Sequence, residues 1–239
     1  MRIFIVLIYL LFVGCNSVTQ KDYNNNQNNS NSNQNSLHVG ARNIDYYQKY
    51  INEKCDQIID KSFYKICYDY ELNIATAVGY ELDGELVDST NIKDRPEFYT
   101  EPSLPNNEKV QANNYIGSGY DRGHMAPDAA FDWSQDSLES TYSMANIVPQ
   151  IAEVNREEWS KAEEHARKMA KKYGTIIVVN YIVFSKEPQR VGESEVAVPK
   201  GFYKILYNSN ENYKECFYYE NVEQESKNLT SHIVNCDSL

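Results

Sequence analysis

The sequence has no apolar run long enough to cross a bilayer. Its longest, Ile3 to Val13, turns polar by Asn16, well short of the ~20 apolar residues a spanning helix needs. Basic charge is also in deficit. Lys plus Arg number 23 against 34 Asp plus Glu, a net charge of -11, which excludes a protein whose whole surface draws in polyanions. Any polyanion must be met at a local site. The five cysteines are too far apart to form the close pairs of a structural zinc site, and no internal repeat marks a solenoid. What remains is an ordinary globular chain of 239 residues, 41% hydrophobic and 24% charged, with an unusual 20 Tyr. That length accommodates one domain and one core.

Met1-Arg2, the apolar run and the small residues Gly14 and Cys15 together read as an export signal. Phe12-Val13-Gly14-Cys15 resembles a bacterial lipoprotein cleavage box, with Phe12 in place of the usual Leu. Lipidation of Cys15, with anchoring to a membrane, therefore stands beside ordinary cleavage nearby. The expected destination is the periplasm, the cell envelope or the medium. In an exported chain the other four cysteines read as two disulfides, and three pairings exist. Cys55 with Cys67 and Cys216 with Cys236 is the favoured set, because each pair closes a short loop. Cys15 is then the odd one out.

The chain divides into residues 1–15 as signal, 16–42 as linker and 43–239 as the folded domain. Asn16 to Ser36 is almost wholly Asn, Gln, Ser and similar residues and cannot bury a core. Tyr46, Tyr47, Tyr50 and Ile51 fall at helical spacing. Tyr64–Tyr70 and Ala75–Leu82 read as strands, and Asp83-Gly84 as a tight turn into a further strand at Glu85-Leu86-Val87. Pro96, Pro102 and Pro105 mark a long irregular loop of the kind that carries function. A helix is expected from about Arg156 to Tyr173, with Asn155 as N-cap, Glu158 completing a capping box and Gly174 as the stop. Thr175–Phe184 reads as a buried central strand, and Phe202–Tyr207 and Cys216–Tyr219 as further strands. The class is α+β around a sheet.

Between the loop and the helix lies Gly119-Tyr120-Asp121-Arg122-Gly123-His124-Met125-Ala126-Pro127. A histidine that titrates near neutrality adjoins an arginine able to hold a phosphate bidentately, with Gly123 allowing close backbone approach. A second block follows: Asn146-Ile-x-Pro149-Gln150, then Asn155, Trp159, Glu163 and Arg167 in one helical frame. The two blocks together resemble the DNA/RNA non-specific endonuclease family, the ββα-metal nucleases. Val198-Pro199-x-Gly-Phe202-Tyr-Lys204 resembles that family's strand after the active site.

The resemblance implies a ββα-metal fold, with a mostly antiparallel central sheet flanked by helices and the active site on a β-hairpin or loop plus one helix. It implies a phosphodiester hydrolase of DNA and RNA that leaves 5′-phosphate and 3′-hydroxyl ends. His124 is then the general base, its second nitrogen held by an acceptor. Asn155 is the one direct protein ligand of a single Mg²⁺, which Mn²⁺ can replace, and waters fill the octahedron. Glu163 hydrogen-bonds a metal-bound water and is preferred over Glu164 because it keeps the family spacing and stands four residues before Arg167. Arg122 and Arg167 are phosphate contacts and Arg122 also serves catalysis. Arg95, in Asp94-Arg95-Pro96-x-Phe98, resembles a further substrate arginine, although Glu101-Pro102 stands where the family usually has Asp-Pro. Asp121 and Gly123 are structural, Asn146 orders the site and is grouped with the substrate-binding residues, and Trp159 with Ala162 and Ala166 is core.

The acidic balance weighs against nucleic-acid binding by counterion release. Lys168, Lys171 and Lys172 beside Arg167, with Lys186 and Arg190, are expected to supply a basic groove on an acidic body. No base-reading module is visible, so low sequence preference is the natural expectation. The competing class is a catalytically silent surface lipoprotein that uses the same fold to bind. The presence of both His124 and Asn155 favours the enzyme.

Overall fold

The computed structural model describes residues 55–223 and 228–239. The signal, the Asn-rich linker and the helix expected at Tyr46–Ile51 lie outside these residues. Six strands form the main sheet: β1 (Gln57–Asp60), β2 (Tyr64–Asp69), β3 (Ile74–Asp83), β6 (Thr175–Val183), β9 (Gly201–Asn208) and β10 (Tyr213–Glu220), in that spatial order. Every neighbouring pair is antiparallel. The continuous β-branched run of β6 is explained by its place, since it lies between β3 and β9 with Ile176 to Asn180 all buried. A strand with both edges paired and both faces covered has no solvent side to mark with polar residues.

Outside this sheet the short strands β7 (Arg190–Val191) and β8 (Val196–Ala197) pair with each other, while β4 (Asp121–His124) and β5 (Ile147–Gln150) pair antiparallel and put His124 opposite Ile147. Two short helices lie between them, α1 (Asp128–Phe131) and α2 (Gln135–Thr141). The long helix α3 (Ser160–Tyr173) packs on β3, β6 and β9. Ala162, Ala166 and Ala170 are its buried residues. Their four-residue spacing lays small side chains along one stripe and lets the helix axis approach the sheet closely. Trp159, just before α3, fills the core against Phe202 and Tyr219, with ring centroids 5.6 and 5.5 Å away.

Three local expectations change. Helical backbone begins at Ala152, directly after β5, and Val154–Trp159 is wound as a π-turn. Asn155 is therefore not an N-cap, because its own N–H donates to the Ile151 carbonyl at 2.9 Å. Glu158 makes no capping box. It points inward, 1% exposed, to His232 Nε2 at 2.7 Å and Lys161 Nζ at 3.2 Å. The strand expected at Glu85–Val87 is a turn from Gly84 to Ser89. Gly84 donates to the Gly174 carbonyl at 2.7 Å, and a Cβ there would lie 2.3 Å from the Ala170 carbonyl oxygen. The glycine is needed for the turn to dock on the end of α3. Gly174 itself, at φ +82°, stops that helix as the sequence indicates.

The disulfides are Cys55–Cys67 and Cys216–Cys236, the set favoured on loop length. The second holds the C-terminal segment on β10, where Val234 N–H donates to the Cys216 carbonyl at 2.9 Å and Ile233 bridges Phe217. This places His232 against Glu158 of the π-turn. The Pro-rich loop is fastened as well. Tyr99 and Met144 exchange backbone hydrogen bonds with Tyr142 and Tyr99 at 3.1 and 2.9 Å. Buried Glu101 accepts from Lys61 Nζ at 2.8 Å and Ser143 Oγ at 2.7 Å. Burial alone would raise its carboxyl, but these hydrogen bonds hold it below the usual carboxylate range. Phe98 is thereby set against the end of β4.

Candidate active site

His124 ends β4 between two rings, Phe98 at 5.5 Å and Tyr142 at 5.1 Å edge-on. Its Nε2 is sealed from solvent and has no hydrogen-bond partner among the described residues, leaving Nδ1 on the accessible side of a half-buried ring. The acceptor expected at the second nitrogen is thus not found, because aromatic faces occupy that space. Burial, reinforced by Arg95 and Arg122 and opposed by Asp128, pushes the imidazole down to about 4. The ring is neutral at pH 7 and free to accept a proton.

The same shift makes stability pH-dependent. An unfolded His124 takes a proton near its ordinary value of 6.5, while the folded one resists until about 4, so the unfolded state binds more protons between these values. The contribution of His124 is complete above pH 6.5 and is lost as pH falls toward 4. Denaturant midpoints measured across that window should fall less steeply in a His124→Phe variant. Equal slopes would contradict the burial argument.

Gly123 is required for packing. A Cβ on it would lie 2.0 Å from Oε1 of Gln150, a fully buried residue on β5. At the start of β4, Asp121 Oδ2 accepts from Asn155 Nδ2 at 3.0 Å and from Arg156 Nε at 2.8 Å, while Oδ1 accepts from Arg156 Nη2 at 2.7 Å. Burial opposes ionisation here, but these donors hold the Asp121 carboxyl below its ordinary value. With the amide nitrogen of Asn155 turned to Asp121, its oxygen is the atom left to face outward. Asp121 and Asn155 line a cavity of about 330 Å³ with Arg122, Phe98, Tyr115 and Tyr120. Exposed Arg122 lies over the Phe98 ring, 4.6 Å from its centroid.

On α3, burial pushes the Glu163 carboxyl up to about 7 against the pull of Lys204 and Arg167. Burial pushes Lys204 down to about 8, opposed by Glu163. Lys204 is fully buried in the middle of β9. Among the described residues no group of three or more His, Cys, Asp or Glu side chains is gathered for a metal. The donors that lie together, the Asn155 amide oxygen beside the Asp121 carboxylate, fit a hard cation that keeps most of its waters.

A strand pair, a helix and these side chains form one unit, ββα. The sequence profile of the DNA/RNA non-specific endonucleases matches residues 42–239. The chain belongs to the DNA/RNA non-specific endonuclease family. Mitochondrial endonuclease G of Bos taurus is 28% identical over 160 residues, 63% of this chain and 54% of that protein. Nuclease C1 of Cunninghamella echinulata is 28% identical over 160 residues, 62% of this chain and 64% of its own length. The chain thus spans little more than half the length of the mitochondrial relative. A chain of the solved complex of EndoG with EndoGI superposes with a TM-score of 0.71 at 25% identity, covering 80% of this chain and 86% of that one. The fold is the family's α+β, ββα-metal arrangement.

Asn155 of the π-turn meets Asp121 at the start of β4, while Arg122 and His124 both lie against Phe98. Glu163 and Arg167 lie on α3, where Arg167 acts electrostatically on Glu163 and Lys204. Arg95 is held by Asp128 at 3.3 Å and Asp132 at 3.4 Å, so its guanidinium is engaged with carboxylates beside His124. Asn146 is not a substrate contact. It is fully buried, and its amide is spent on Ala126 N–H at 2.8 Å and on the Ala126 and Thr141 carbonyls, both at 2.9 Å. It holds the chain just after His124 in place.

The basic groove is thinner than expected. Lys168 pairs with Glu164 at 2.6 Å, Lys171 pairs with Asp88, and Arg190 donates to the Glu71 and Glu195 carbonyls. A chain with excess acid places a carboxylate or carbonyl near most of its bases. His165 is paired with Glu215 at 2.6 Å. Phe98, Asp128, Tyr142, Asn180 and Lys204 also shape the site. Of these, only Phe98 and Lys204 fell inside a motif, and neither carried a role.

Proposed function

We propose that this protein is an exported, Mg²⁺-dependent endonuclease that hydrolyses DNA and RNA without regard to sugar, leaving 5′-phosphate and 3′-hydroxyl ends. The observation that carries the reading is the Asp121 bridge. One carboxylate, on the strand that ends in His124, also orients the Asn155 amide, so base and metal donor share a single rigid mount. Asn155 Oδ1 would hold the ion directly and Glu163 through a water. When bound, Mg²⁺, or Mn²⁺ in its place, supplies Lewis-acid stabilisation of charge at the phosphate and the leaving oxygen.

The chain's own residues supply the rest. His124 accepts the proton of the attacking water at Nδ1, and a phosphodiester anion beside the ring raises its affinity for that proton above the value set by burial. Arg122 and Arg167 hold phosphate oxygens. Phe98 carries the Arg122 guanidinium on its ring and so sets the direction in which it reaches a phosphate. The N-terminal apolar run and the two disulfides support export to the periplasm, envelope or medium, with lipidated Cys15 as a membrane anchor. Mass analysis of fragments from defined DNA and RNA oligonucleotides with Mg²⁺ should show 5′-phosphates on both. Cyclic 2′,3′-phosphates on RNA would overturn the water-attack chemistry.

A further inference from the structure

We infer that Lys204 is a positioning residue of this site: its buried ammonium fixes the Asn180 amide that holds the main chain beside His124, tying the strand of the base to the helix of Glu163. The inference rests on the nuclease reading for its catalytic consequence, but not for its geometry.

Lys204 is fully buried, and a buried ammonium must find partners or lose its charge. Nζ donates to Asn180 Oδ1 at 2.9 Å and sits 3.9 Å from the Trp159 ring centroid, a desolvated cation over an indole face. Glu163 and Arg167 on α3 are the charged groups that act on it. Asn180 carries one acceptor and one double donor, while a lysine has donors only. Lys204 therefore claims the amide oxygen and turns the NH₂ the other way, where it donates to the Met125 carbonyl. Met125 follows His124 directly, and its own N–H donates to the Asn146 carbonyl at 3.0 Å. Both polar groups of the residue after the base are thus pinned. Without Lys204 the Asn180 oxygen loses the ammonium that anchors it, and the amide is held only through Tyr80 and the Met125 carbonyl. For packing alone, an apolar side chain of similar length would fill the slot without the desolvation penalty.

Two substitutions test the link. Lys204→Met keeps length and volume but loses the charge. Asn180→Asp keeps an acceptor for Lys204 and loses the donor to Met125, so it probes the same step if the first variant folds poorly. Each should lower kcat by about 100-fold, the effect of displacing a catalytic group by roughly 1 Å, with KM within about twofold of the unmutated protein. Each should also speed amide hydrogen exchange in residues 121–126 while β9 and β10 stay protected. Unchanged kcat with unchanged exchange in both variants would overturn the inference. So would a loss expressed in KM, or faster exchange spread evenly over the chain. If the unmutated protein cleaves no nucleic acid with any divalent ion, the nuclease reading fails and exchange alone decides. Local loosening at 121–126 then sustains the clamp, and its absence refutes it.

Discussion

Replacing His124 with alanine is expected to lower the single-turnover rate of phosphodiester cleavage by ~10²–10⁴-fold, the range supplied by a positioned general base. The ring is neutral at working pH because burial between Phe98 and Tyr142 disfavours its charge. It stands on the strand whose first residue, Asp121, orients Asn155. Removing the imidazole leaves the Asp121 bridge intact, so substrate binding should persist and the loss should appear in the chemical step. The fold should survive, since the deleted ring lies at the end of the β4–β5 pair and outside the six-stranded sheet. Near-UV circular dichroism matching the unmutated protein, together with the lost rate, is the expected pair of results. A variant that cuts within a few-fold of the parent would remove His124 from the mechanism.

The largest expected effect on stability comes from Glu158→Ala. Glu158 and His232 are 1% and 6% exposed in their side chains and meet at 2.7 Å. His232 Nδ1 is engaged with the Tyr218 carbonyl at 3.1 Å and its ring stacks on Tyr219 at 4.1 Å, so it cannot turn away to find water. Removing the carboxylate acceptor of a buried hydrogen bond of this kind costs about 1.5–3 kcal/mol, which corresponds to a fall in Tm of roughly 5–10 °C for a domain of this size. Glu158→Gln, which keeps an acceptor for Nε2, should lose much less. The pair bears on function because Glu158 lies in the π-turn with Asn155. A midpoint shift of only a degree or two for Glu158→Ala would show that the C-terminal segment does not brace this turn.

Much of the site was legible in the sequence because its parts are local. Asp121 to His124 form one strand, and Asn155, Glu163 and Arg167 lie on one continuous helical stretch that opens with the π-turn, so the members of each set are near one another in sequence. The β-branched run of β6 and the Gly174 stop were equally plain. What failed depends on residues distant in sequence. Glu158 looks like a capping residue three positions after Asn155, and only a histidine 74 positions later, held there by the Cys216–Cys236 disulfide, turns it inward. Asp83-Gly84 has the form of a hairpin turn, but the next strand partner of β3 is β6, and the segment docks on α3 instead. Lys204 sits in a strand otherwise aromatic and aliphatic, and no periodicity distinguishes a buried clamp from a solvent-facing lysine. Asn146, grouped with substrate contacts by motif, is drawn into the interior by the Ala126 and Thr141 backbone. The basic surface was overestimated because a count of lysines does not include the carboxylates beside them.

The central claim is that the His124–Asn155 unit cuts nucleic acid with a divalent ion. The most direct test digests supercoiled plasmid and total RNA with the disulfide-intact domain, residues 37–239, in Mg²⁺, in EDTA, and with the His124→Ala variant alongside. The account predicts that both nucleic acids are degraded in Mg²⁺ by the unmutated protein only, and by neither protein in EDTA. Intact plasmid and RNA in every divalent ion tried would contradict it, and would point to a nuclease fold kept for binding.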